Sequence, residues 1–178
     1  MKKHRKRVDR LQDASSEALE HIADNMKERI YATITLLAVI AGLWQTAEHH
    51  TTQGIIGSII GTATALWLAT LIAARMSHRA IHQRSMTPRG YRRLLFTSSG
   101  LFTPAIVPIL FVILSTYNVI DLKTALLAGM AALALSLFIL SFMAGRRIYE
   151  SWGQVIVTSC LEMLLGVGVI ALKIVAGE

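Results

Sequence analysis

The sequence predicts an all-α polytopic membrane protein. It has five transmembrane helices, an N-terminus in the cytoplasm and a C-terminus outside, with an amphipathic cytoplasmic helix ahead of the first span. Three observations predict this. Hydrophobic residues make up 53% of the 178 residues and charged residues only 16%, against the roughly 25% charge usual in soluble domains. The apolar residues fall in blocks of about 20, the length a helix needs to cross a ~30 Å hydrocarbon layer. The Lys and Arg residues collect in alternate connections between those blocks, as the positive-inside rule requires.

The chain opens with a basic tail, MKKHRKRVDR. Beside anionic lipid each basic residue adds roughly 1 kcal/mol of attraction; the alternative is a disordered topology signal. No apolar core follows it directly, so it is not a secretory signal peptide. Residues 11–29 read as an amphipathic helix. Ser15 and Ser16 are candidate N-caps, and Ala18, Leu19, Ile22 and Met26 lie on one side. Glu17, His21, Asp24 and Glu28 form a polar stripe, a set of ligand types that suits a divalent metal or a plain solvated face. Such a helix lies along the inner membrane surface or packs on another subunit. Residues 1–29 thus form a cytoplasmic unit and residues 30–178 a transmembrane domain.

The spans run at about 30–46, 54–74, 97–117, 124–144 and 152–175. Eight Lys and Arg residues precede the first span. Six more lie between spans two and three: Arg75, Arg79, Arg84, Arg89, Arg92 and Arg93. Arg146 and Arg147 follow span four, and only Lys123 and Lys173 lie on the other side. That asymmetry orients the chain N-in and C-out. It also explains the net charge of +7 without a nucleic-acid partner.

In lipid, helices associate where small residues let backbones approach. Span two carries Gly57, Gly61, Ala65, Ala69 and Ala73 at four-residue spacing. This stripe is a homodimer seam or an intrachain packing face. Span four repeats it weakly with Ala128, Ala132 and Ser136. Span three holds Pro104 and Pro108, each lacking a backbone donor and crowding the carbonyl four residues earlier. The span is expected to kink or unwind there, as helices lining transport sites do and as purely structural kinks also do.

Glu162 lies near the middle of span five, with Thr158 one turn before it and Cys160 and Met163 nearby. An ionised carboxylate at that depth is costly. It points either to a proton or cation site or to a protonated carboxyl in an interhelical hydrogen bond. His78 and His82, four apart on the extension of span two, and Glu48, His49 and His50 in an outer loop are weaker metal candidates; a basic helix face and a polar turn are the simpler readings. The single cysteine, Cys160, forms no intrachain disulfide. No HExxH, GxSxG, P-loop or CxxC is present, and little chain lies outside the apolar blocks. No enzyme and no cofactor is therefore expected.

Within residues 95–175 the text SGLFTPAIVPILFVIL, ALLAGMAALALSLFILSFMAGRR and SWGQVIVTSCLEMLLG resembles the third, fourth and fifth helices of the vacuolar iron transporter family. The resemblance implies a five-helix, N-in, C-out membrane fold. It does not extend to the family's metal ligands. The first span, ATITLLAVIAGL, has no Asp-Gly pair, Ala73, Ala74 and Arg75 stand where a Gly-Glu segment would, and the long acidic insertion after span two is absent. The chain also looks like small bacterial integral membrane proteins, which implies a multi-pass place in the inner membrane. Two functions follow as expectations. One is a transporter-like protein, a homodimer, moving a cation or proton through Glu162 and the Pro-broken span. The other is a non-transporting scaffold or accessory subunit that binds partner membrane proteins.

Overall fold

A computed structural model describes residues 25–84, 87–146 and 151–176, apart from the side chains of His82 and Arg93. The described residues are helical with short turns and no strand. Helix α1 covers residues 25–45 and leads through a 3-10 turn at Ala47–His49 into α2, Thr52–His82. Helix α3, Pro88–Ser98, passes into a 3-10 segment, Ser99–Phe102, and then α4, Thr103–Thr116. Helices α5, Leu122–Gly145, and α6, Trp152–Ala176, complete the bundle. Among the described residues four stretches are long and apolar enough to cross a membrane: α2, α3 continued into α4, α5 and α6. The basic tail and most of the expected amphipathic helix, with Glu17, His21 and Asp24, lie outside the described residues.

Local chemistry sets the helix starts. Thr51, Thr87 and Ser151 each accept a hydrogen bond from the backbone N–H three residues on. Asp121 does the same from Thr124 N at 2.9 Å and also accepts from the Thr124 hydroxyl at 2.7 Å. Each satisfies an orphan donor of a first turn. Pro88 sits at the start of α3, where its missing N–H costs nothing. Gln83 and Asn118 take left-handed φ angles of 50° and 55° after α2 and α4, a conformation that stops a helix.

The chain breaks ahead of Pro104. The α-helix gives way to a 3-10 turn at Ser99–Phe102, and α4 restarts with proline at its head. Pro108 lies inside α4. The departure from α geometry falls ahead of Pro104, while α4 runs through Pro108 without a break.

Helix α1 lies innermost, with Ala32, Leu36, Leu37, Ile40 and Ala41 fully buried. Its core partners include Ile55 and Ile59 of α2, Val112 of α4, and Leu126 and Leu133 of α5. Helix α5 packs between α4 and α6. Two glycines allow these approaches. A Cβ at Gly129 would stand 3.3 Å from Pro108 Cβ and 3.4 Å from Pro108 Cα, and one at Gly166 would stand 2.6 Å from Leu137 Cδ1 and 3.5 Å from Leu37 Cδ1. At one end of the bundle the Gln45 side-chain amide donates to Ile174 O at 2.8 Å. At the same end Lys123 meets Glu48 at 2.7 Å. At the other end the Arg146 guanidinium lies 4.3 Å from the centre of the Trp152 ring.

The outer surface is apolar. Leu68, Ile72, Leu110, Leu135, Ile139, Val157, Leu164 and Leu172 all point away from the bundle. Exposed apolar residues on every side of a helical bundle are the mark of a chain solvated by acyl tails, because in water they would form a sticky patch far beyond normal size. The described residues therefore support a multi-pass membrane protein.

Candidate functional site

The sequence candidates do not converge on one site. Glu162 is exposed, at the margin of the α6 face that buries Ser159 and Gly166, each about one turn from it. The buried residues of that helix are Val155, Ser159 and Gly166. Beside Glu162 lie Leu161 and Leu165, also exposed, the latter by 65%. Ser151, Gln154 and Thr158 lie eleven, eight and four residues before it, so the four fall along one helix face. Thr158 donates to Gln154 O at 2.9 Å and Val155 O at 3.0 Å. Its proton is thereby used within the helix, and its oxygen remains open to accept. The result is an outward polar stripe from the basic end of α6 to its middle.

Pro104 and Pro108 belong elsewhere. Pro108 is buried against Gly129 of α5. Pro104 lines a groove between α1, α4 and α5 that also contains Arg29. Helix α5 separates these prolines from α6, so Glu162 and the Pro-broken segment do not share a cavity within one chain.

The small-residue stripe of α2 also faces outward. Gly57, Gly61, Ala65, Ala69 and Ala73 are all exposed. A Cβ added at Gly57 or Gly61 would meet nothing within 4 Å. Intrachain packing among the described residues therefore does not account for the stripe. Ala69 and Ala73 border a groove of about 580 Å³ between α1 and α2, alongside Lys27 and Tyr31. Ser58 and Thr62 lie beside the glycines, and each hydroxyl donates to the carbonyl four residues back.

Glu48 is committed to Lys123. That hydrogen bond, then the Lys123 charge, holds its carboxyl below the ordinary value of 4.5. Asp121 is likewise held low by its bonds from the Thr124 side chain and backbone. His49 and His50 sit in the exposed turn with Glu48. His78 is half-buried on α2, while the side chain of its expected companion, His82, lies outside the described residues. Among the described residues no three His, Cys, Asp or Glu side chains gather as a metal site would need.

No family model, curated protein or solved structure matches this chain.

Sequence reasoning missed two features of this surface. Ser151 and Gln154 extend the polarity around Glu162, and their spacing along α6 was the available signal. In the sequence Arg29 reads only as a topology charge, whereas the fold brings it into the groove beside Pro104 and Thr33.

Proposed function

We propose that this protein is a membrane scaffold or accessory subunit whose outward helix faces bind other transmembrane helices. One observation carries the reading: Glu162, mid-way along α6, is exposed on the surface of the single chain at the end of a polar stripe. Left in lipid, such a group costs roughly 3 kcal/mol on insertion scales. A partner helix that hydrogen-bonds it removes much of that cost. The outward stripe of Gly57, Gly61, Ala65, Ala69 and Ala73 supplies a second face of the type that permits close backbone approach.

The membrane placement behind this reading has five crossings, N-in and C-out. Helix α1 is about 31 Å long over its described part at 1.5 Å per residue, enough for the ~30 Å hydrocarbon layer. The basic residues then lie on the cytoplasmic side, as the positive-inside rule requires.

A second reading draws on the same stripe. A cation or proton could move along Ser151, Gln154, Thr158 and Glu162 where α6 meets a partner, so that transport belongs to the assembly and not to one chain. Purification in a gentle detergent separates the readings. The scaffold reading expects a stoichiometric membrane partner that Glu162→Leu releases, and no cation or proton flux in liposomes. A protein that always purifies alone and monomeric would overturn it. Flux lost in Glu162→Gln would favour the second reading.

A further inference from the structure

Arg29 enters the bundle where the cytoplasmic ends of α1, α4 and α5 meet. Its backbone carbonyl accepts the Thr33 hydroxyl at 2.7 Å. Its guanidinium lies across the 3-10 turn, where a Cβ at Gly100 would stand 3.4 Å from Arg29 Nε and 3.7 Å from Nη2. The guanidinium is thus in van der Waals range of the turn, and the Asn25 side-chain oxygen is closer still, at 3.2 Å from that position. The buried Nε makes no hydrogen bond among the described residues. A guanidinium always carries its charge and presents donors suited to phosphate, and a buried donor without a partner is costly.

That guanidinium heads a groove of about 330 Å³ lined by Arg29, Thr33, Pro104, Ala132, Ser136 and Met143. Along α5 the groove runs from Met143 to Ala132, about 16 Å at 1.5 Å per residue. That is close to half of a ~30 Å hydrocarbon core, or one leaflet. Ala132 and Ser136 keep its floor shallow. The Ser136 hydroxyl donates to Leu133 O at 2.7 Å, so it presents no unpaired donor to an apolar guest. Val107, Ile139 and Met143 at the rim are all exposed on the apolar outer surface, so the groove opens sideways to lipid.

One charged end, a one-leaflet apolar length and a lateral opening together describe an amphiphile. We propose that this groove holds one acyl chain of an anionic phospholipid from the Arg-rich leaflet, with the lipid phosphate on the Arg29 guanidinium. The proposal rests on the membrane placement above and not on Glu162, so its failure leaves the partner-binding reading standing.

The test is thermal unfolding of the full chain in mild detergent with three additives: phosphatidylglycerol, phosphatidylcholine of the same chains, and glycerol phosphate. The expected result is stabilisation by phosphatidylglycerol at about fivefold lower concentration than by phosphatidylcholine, the preference one basic residue confers near a membrane surface. Glycerol phosphate, which has the head but no chain, should do nothing. Ala132→Phe fills the groove without changing charge and should abolish the preference, as should Arg29→Gln. If Ala132→Phe does not fold, Ser136→Leu narrows the same groove and is read the same way. Equal stabilisation by the two lipids, or stabilisation by glycerol phosphate, would overturn the proposal. So would a full preference retained in the groove-filling variant, because the lipid would then sit on the basic surface elsewhere.

Discussion

Gly129 of α5 sits directly against Pro108 of α4, so close that a methyl group at 129 would stand 3.3 Å from the proline ring carbon Cβ and 3.4 Å from its Cα. Proline inside a helix removes a backbone donor and stiffens the turn, and the glycine opposite it lets the two helices meet at that turn. The ring cannot swing aside as a flexible side chain would. A larger residue at 129 must push the helices apart. Gly129→Leu is expected to destabilise the bundle by roughly 1–3 kcal/mol, the usual cost of overpacking, seen as a lower unfolding temperature in detergent. Gly129→Ala should cost less.

Gly61 provides the contrast. It is exposed, with nothing within 4 Å of an added Cβ. Gly61→Leu should leave the unfolding temperature of the isolated chain unchanged or slightly raised, since glycine inside a helix costs roughly 0.5–1 kcal/mol relative to alanine. The same substitution should weaken association, measured as partner recovery or as the oligomer fraction by analytical ultracentrifugation in detergent. Loss of fold stability would show that the stripe packs within its own chain.

Glu162→Leu should separate stability from association in the same way. Removing a carboxyl from the apolar surface of α6 is expected to leave the lone chain at least as stable in detergent, while the partner or second copy is lost. Glu162→Gln keeps the hydrogen-bonding capacity and should retain more association than the leucine variant. Equal association in all three proteins would show that the carboxyl makes no interhelical bond.

The Glu48–Lys123 bridge ties the turn before α2 to the start of α5. The Glu48 carboxyl is held below its ordinary value of 4.5, so the folded state favours the ionised form. Its contribution is fully present above that value and is lost as pH falls through the lower, folded-state value. The unfolding temperatures of native protein and Glu48→Gln should therefore differ most near neutral pH and converge in acid. High salt should shrink the difference, since both partners are exposed.

Much of the fold was legible because the bilayer imposes length. The long apolar runs around residues 54–74, 124–144 and 152–175 became α2, α5 and α6 with ends shifted by a few residues, and α2 continues to His82 where charge replaces apolarity. The helix break near Pro104 was legible from proline chemistry alone. The direction each face points was not. Small residues on α2 signal close packing, but the sequence does not say whether the neighbour belongs to the same chain. Only the empty space around Gly57 and Gly61 distinguishes these cases. Likewise Glu162 declares a carboxyl midway along an apolar helix, whereas its exposure at the margin of the face that buries Ser159 and Gly166 depends on how far the neighbouring helices close around α6. Arg29 was hidden for another reason. Its role depends on Gly100 and Pro104, over seventy residues away in sequence, folding across it.

The central claim is that the Glu162 face of α6 is covered by another helix in the membrane. Spin labels placed singly at Leu165 and Leu164, in a Cys160→Ser background, test it most directly. Leu165 lies one turn from Glu162 on its face, and Leu164 is turned about 100° away; the two are comparably exposed in the single chain, at 65% and 61%. In native membranes the label at 165 should be immobilised and shielded from lipid-dissolved oxygen, while the label at 164 stays mobile and accessible. Equal mobility and oxygen access at both positions would contradict the claim, because the carboxyl would then face acyl chains.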